Sequence, residues 1–199
     1  MPVTSARRQD LLAAGSWLLV AGSLSGVTID FAATWEEAEP FSRFLGRVSK
    51  LQSLWEGSTR AARIPEWAMT KFAGLPNGLR MLVLNADWCL DSASTVPTLA
   101  RLADVVPGVE MRVLDRDAYP EIMDRYLTDG TRSIPLAILL DRDFRELGRW
   151  GPRPKELQAF VHAHLDRDMS KEAIHLEIRK WYVGDRGNVM LSEIFEIVS

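Results

Sequence analysis

The chain has 199 residues, 47% hydrophobic and 26% charged, with a formal net charge of −3. This balance excludes intrinsic disorder and supplies enough apolar side chains for a full core. Lysine and arginine are scattered among acidic residues without a basic stripe, so no nucleic-acid partner is expected; the single cysteine, Cys89, excludes an intramolecular disulfide.

A chain without disulfides fits a reducing, cytoplasmic setting. Near the start, Arg7 and Arg8 precede an apolar run from Leu11 to Ile29 that resembles the apolar core of a secretory signal. Asp10 stands before the run, and Gly15, Ser16, Gly22, Ser23, Ser25 and Gly26 dilute it. It is too interrupted to span a bilayer, so no membrane partner is expected. We read 5–21 as a buried helix, with a targeting segment as the alternative, and Leu24 to Thr34 as a loop.

Trp35 to Gly57 reads as one long helix. Phe41, Phe44, Leu45, Val48, Leu51, Leu54 and Trp55 form its apolar stripe, and Thr34 is its expected cap. Pro65 opens a shorter helix, Glu66 to Ala73. The cluster Gly74-Leu75-Pro76-Asn77-Gly78 is strong turn chemistry. It divides a helical N-terminal extension, residues 1–75, from a main domain, residues 76–199.

The main domain alternates. Leu79 to Asn85 is a buried strand, Asp91 to Val105 a helix and Val109 to Leu114 a strand. Tyr119-Pro120 leads into a helix that ends at Thr128-Asp129-Gly130, with Gly130 as its C-terminal cap. Leu136 to Leu140 and Phe144 to Trp150 form a hairpin across Asp141-Arg142-Asp143. Helices follow over Pro154 to Leu165 and Lys171 to Tyr182, then a short terminal helix after Asp185-Arg186-Gly187-Asn188. Strands joined by a helical crossover are parallel, so the fold class is α/β: one central mixed sheet flanked by helices.

Asn85-Ala-Asp-Trp-Cys-Leu-Asp-Ser92 lies where the first strand passes into its helix. A cysteine at a helix N-terminus faces unpaired N–H groups and the positive end of the dipole, and both favour the thiolate. Exchange chemistry at Cys89 would call for a thiol pKa below that of free cysteine. Ser92, three residues on, can donate a hydrogen bond to a thiolate but cannot close a disulfide. Asp91 opposes ionisation through its charge. Trp88 either shields the thiol or shapes a substrate groove. Arg132-Ser133-Ile134-Pro135 precedes a buried strand. A proline there is allowed by geometry alone. Its functional reading is a cis bond beside the thiol, leaving the Ile134 backbone free to pair with an extended peptide or a thiol substrate.

These motifs resemble the thioredoxin superfamily, and more closely a bacterial group of thioredoxin family proteins with a W-C-x-D-[SC] site and a G-P-R-P segment. The matching residues are Asp87 to Ser92, Arg116-Asp117, Asp129 to Pro135, Trp150-Gly151-Pro152-Arg153-Pro154 and Lys180-Trp181-Tyr182. The resemblance implies a thioredoxin-like fold with Cys89 as nucleophile and Pro135 as the cis-proline. Ser92 stands where dithiol members carry their second cysteine, which points to a monothiol C-x-x-S version.

The expected activity is thiol–disulfide exchange: Cys89 attacks a disulfide, and an external thiol such as glutathione resolves the product. The expected partners are a disulfide-bearing protein or a low-molecular-weight thiol, whose carboxylate Arg132 is placed to hold. The alternative is a non-catalytic binding or redox-sensing module. No metal is expected, because His162 and His164 lie two apart on a helix and face different ways. Asp115-Arg116-Asp117 and Asp141-Arg142-Asp143 read as strand-end turns, and Asp166-Arg167-Asp168 as a helix terminus. The N-terminal helices have three open placements: on the sheet, over the site, or as a homodimer surface, the last favoured by exposed aromatics.

Overall fold

The computed structural model describes residues 28–165 and 169–199. The expected helix over 5–21 and the terminus at Asp166-Arg167-Asp168 lie outside the described residues. Among these residues no helix is long and apolar enough to cross a membrane.

The core is a four-stranded mixed sheet built from β1 (Leu79–Asn85), β2 (Val109–Asp115), β3 (Leu136–Leu140) and β4 (Glu146–Trp150), in the order β2-β1-β3-β4. β1 and β2 are parallel, joined through the helix Leu90–Val105, and β3 runs antiparallel to both β1 and β4. Side-chain alternation divides the strands between two cores. Met81, Val83, Val113, Ala137 and Leu139 face one side, while Leu82, Leu84, Leu114, Ile138 and Leu140 face the other. This is the expected α/β architecture of a mixed sheet between helices.

The helices, in chain order, are α1 (Phe31–Glu37), α2 (Phe41–Arg47), α3 (Gln52–Ala61), α4 (Glu66–Ala73), α5 (Leu90–Val105), α6 (Pro120–Arg125), α7 (Lys155–Leu165), α8 (Lys171–Asp185) and α9 (Asn188–Val198). The single helix expected over Trp35 to Gly57 is instead three. Pro40 lacks an N–H and drives the residue before it into an extended conformation. Glu39 uses that conformation to bridge Val113 on the outer edge of β2, with N–H···O distances of 3.0 and 2.8 Å. The second break is Leu51, which is left-handed at φ 48°. Asp30, not Thr34, caps α1: its carboxylate accepts the Ala33 N–H at 3.0 Å. The loop expected through Thr34 therefore ends earlier, at Asp30.

Two other expected boundaries move. α6 stops at Arg125, and Gly130 is no helix cap. Asp129 and Gly130, at φ 50° and 74°, form a two-residue turn that pairs Thr128 with Thr131. Asp-Gly with two positive φ angles is the preferred chemistry of such a turn. β4 begins at Glu146, because buried Asp141 accepts the Asp143 and Arg145 N–H groups and lengthens the hairpin loop.

α2 to α5 and α9 cover the first face of the sheet, with Trp55, Phe72, Leu99 and Leu191 wholly or almost wholly buried there. α1 and α6 cover the second face with Phe31, Trp35, Ile122 and Met123. α7 and α8 share a smaller core of Leu157, Val161, Ile174 and Ile178. The aromatic residues of α1 to α4 are buried or half-buried rather than exposed, so the observation that would favour a dimer surface there is missing.

Candidate functional site

Cys89 is itself the N-cap of α5. Its backbone is extended, at φ −84° and ψ 120°, and its sulfur accepts the Ser92 N–H at 3.4 Å. The same sulfur donates to the Ile134 carbonyl at 3.4 Å. The thiol thus bridges the start of α5 and the segment entering β3. The Ile134–Pro135 peptide is cis, and both residues are buried. Trp88 is 51% exposed beside them.

The loop before Cys89 is fixed from behind. The Asp87 carboxylate accepts the Ser49 N–H, the Ser49 hydroxyl and the Lys50 N–H, each at 3.0 Å. Partial burial raises the Asp87 pKa, but the Lys50 and Ser49 bonds outweigh it and hold the carboxyl below its ordinary value. The Asp87 carbonyl accepts the Trp55 indole N–H at 2.9 Å. α3 therefore anchors the site loop, a role the sequence reading did not assign to Asp87 or Trp55. Their signal was available only as an acidic residue before Trp88 and a tryptophan on an apolar stripe.

Asp91 is buried directly behind the thiol and pairs with Arg153, Nη2 to Oδ2 at 2.6 Å and Nε to Oδ1 at 3.0 Å. The Tyr182 hydroxyl donates to the same Oδ1 at 2.9 Å. Burial and then the Asp91 charge raise the Tyr182 pKa well above its ordinary value. Arg153 belongs to the Gly151-Pro152-Arg153-Pro154 segment and Tyr182 to Lys180-Trp181-Tyr182, so three separate motifs meet on one carboxylate. The motifs were legible in sequence; their convergence was not.

Burial pushes the Cys89 thiol pKa up, with the Asp91 charge acting in the same direction. The Ser92 hydroxyl and N–H pull it down, but less. The thiol pKa that exchange calls for is depressed, whereas here it is raised, because burial outweighs the hydrogen bonds at the start of α5. The resting group is a thiol. The buried Ser92 hydroxyl has no other partner within hydrogen-bond geometry.

Arg132 is already engaged. It makes a two-point ion pair with Asp124, both contacts at 2.6 Å, and lies on the surface. The cation beside the exposed tryptophan is Arg116, whose guanidinium carbon sits 5.6 Å from the centre of the Trp88 ring. Asp115 does form the expected strand-end turn, accepting the Asp117 N–H at 2.9 Å. His162 lies 3.4 Å from Asp129, and His164 contacts the Phe160 carbonyl, so the two histidines have separate neighbours.

Comparison with known proteins agrees with this geometry. A solved protein of unknown function from Pseudomonas aeruginosa superposes with a TM-score of 0.66 at 20% identity, covering 86% of this chain and 98% of its own. A crystallised HIV epitope scaffold gives a TM-score of 0.66 at 19% identity, covering 85% and 98%. At these identities the likeness shows the fold alone. No curated protein matches the chain. The family model described as thioredoxin matches residues 38–171, from the end of α1 through the start of α8, and the chain belongs to the thioredoxin family.

Proposed function

We propose that this protein carries out thiol–disulfide exchange by a monothiol route at Cys89. The observation that carries the reading is the position of the sulfur, 3.4 Å from both the Ser92 N–H and the Ile134 carbonyl, at the start of α5 and beside Pro135. Cys89 loses its proton to solvent, and the Ser92 N–H and hydroxyl favour the thiolate. It attacks one sulfur of a substrate disulfide; the S–S bond breaks, and the other sulfur leaves as a thiolate. An external thiol, such as glutathione or another low-molecular-weight thiol, then attacks as its thiolate. That step releases Cys89 and leaves a new disulfide between substrate and external thiol. The external thiol is the reductant, and no further cofactor enters.

Substrate recognition falls to groups around the sulfur. Trp88 offers an exposed apolar face, and the backbone at Ile134 lies against the thiol. Arg116, rather than Arg132, is the cation we assign to a carboxylate of the incoming thiol: it lies against Trp88 and meets Asp117 through Nε alone, at 3.3 Å, whereas Asp124 holds Arg132 at two points.

One observation favours a second reading. The thiol is buried and its pKa raised, which suits a binding module that holds a partner without turnover. One experiment separates the two. The chain is incubated with oxidised glutathione at about pH 9, where free thiols are largely ionised, and its intact mass is measured. Exchange predicts one glutathionyl adduct per chain, removed by reduced thiol. No adduct overturns exchange. Capture of the same partner protein by wild type and by Cys89→Ser establishes the binding module instead.

A further inference from the structure

Between α3, α5, α8 and the α8–α9 turn lies a pocket of about 470 Å³. Small-molecule sites commonly fall between roughly 300 and 1,000 Å³. Part of its lining is apolar, formed by Leu54, Ala62 and Met190. The hydroxyls of Ser94, Thr95 and Tyr182 also line it, but each already donates within the protein, to the Leu90 carbonyl, the Asp91 carbonyl and the Asp91 carboxylate. The Ser58 and Thr98 hydroxyls line it as well, and charge adds to what these polar groups offer.

That charge is concentrated. Arg63, Arg179 and Arg186 all line the pocket. Arg47, Arg112, Arg132 and Arg153 each have a carboxylate partner elsewhere in the fold. Arg63, Arg179 and Arg186 have none among the described residues; Arg101, Arg142 and Arg149, outside the pocket, have none either, but only the first three share one cavity. Arg63 is held in place because its Nη1 donates to the Arg60 and Ala62 carbonyls, which leaves the rest of its guanidinium free. The lining also carries Asp185, whose Oδ1 accepts the Val189 N–H at 3.0 Å and whose Oδ2 is buried without a partner. Burial pushes the Asp185 pKa up against the Val189 and Gly187 backbone hydrogen bonds, and the charges of Glu156 and Glu193 add to the rise.

We propose that this pocket binds an amphipathic anion, with its apolar body against Leu54, Ala62 and Met190 and a carboxylate or phosphate head among Arg63, Arg179 and Arg186. Guanidinium groups match both heads in two-point geometry. The site does not depend on exchange chemistry at Cys89.

The test is calorimetric titration of the full chain with octanoate, octyl phosphate, 1-octanol and octylammonium. The expected result is saturable one-to-one binding of octanoate or octyl phosphate, the tighter of the two naming the head group. The alcohol and the cation should bind at least about tenfold more weakly, as loss of hydrogen bonds to a charged group implies. The double variant Arg179→Ala/Arg186→Ala changes two exposed residues and should weaken anion binding by about tenfold or more at unchanged melting temperature. Ser58→Phe, which fills the pocket, should abolish binding. No saturable binding, equal binding of the alcohol, or unchanged affinity in the double arginine variant would overturn the proposal.

Discussion

Asp91 holds Arg153 in a two-point ion pair behind the Cys89 thiol, with contacts of 2.6 and 3.0 Å. Arg153 also donates to Gln158 at 3.0 Å, and Tyr182 completes the carboxylate's shell. One buried carboxylate thereby ties the first turn of α5 to the segment after β4 and to α8.

Replacing Asp91 by Asn removes the charge but keeps the shape. It leaves Arg153 without its counter-ion, and breaking a buried pair costs roughly 3 kcal/mol, toward the lower end of its range because Arg153 keeps some contact with solvent. Denaturation in urea should show this loss. The same change removes a charge that raises the Cys89 pKa, so alkylation of Cys89 at neutral pH should accelerate.

The raised Cys89 pKa gives a pH dependence of definite sign. The folded chain holds the thiol proton more tightly than the unfolded chain. This stabilisation is full below the unfolded thiol value, about 8.5, and is lost as pH rises through the folded value. Wild type should therefore lose stability relative to Cys89→Ser on the alkaline side, as denaturation at neutral and alkaline pH would show. The rate of iodoacetamide modification should still be climbing at about pH 8.5; a plateau near neutrality would contradict the burial argument.

Gly151 permits the closest backbone approach in the site. At φ +119°, an added Cβ would lie only 2.1 Å from the Pro135 carbonyl oxygen. That contact is with backbone, which cannot rotate away. Gly151→Ala should cost at least about 1–3 kcal/mol, the usual penalty of overpacking. It should also displace the Ile134–Pro135 segment from Cys89, seen as faster thiol alkylation in native buffer.

Trp55 is wholly buried and lies edge-on to Phe44 at 5.0 Å, with its indole bonded to the Asp87 carbonyl. Trp55→Ala should lose about 3–5 kcal/mol by cavity formation. Trp55→Phe keeps much of the volume and gives up the hydrogen bond, so its loss should be smaller. Thermal melts of the two variants check the order.

Local chemistry made much of this fold legible. The apolar runs of β1 and β3, the Gly74–Gly78 turn and the helix starting beside Cys89 all follow from periodicity and punctuation over short stretches. The same local reasoning failed at Trp35 to Gly57. There the apolar stripe points to one helix, while in the molecule the chain breaks at Pro40 and Glu39 is drawn out to cover the edge of β2. It failed again at Gly130, where Asp-Gly serves a tight turn rather than a helix end.

At the site, the sequence by itself determined that one thiol stands at a strand-to-helix junction with serine, not cysteine, three residues on. Any disulfide formed by Cys89 must therefore involve a thiol from outside the described motif. Only the tertiary structure decided the state of that thiol. Dipole and backbone N–H groups are set by neighbours in sequence and favour the thiolate. Desolvation is set by Ile134, by Pro135 and by the packing of distant elements around Cys89, and it prevails. The partners of Asp91 come from residues far along the chain, and no local pattern announces that Arg153 and Tyr182 meet on it. Local chemistry placed the thiol at the head of α5, and long-range burial raises its pKa.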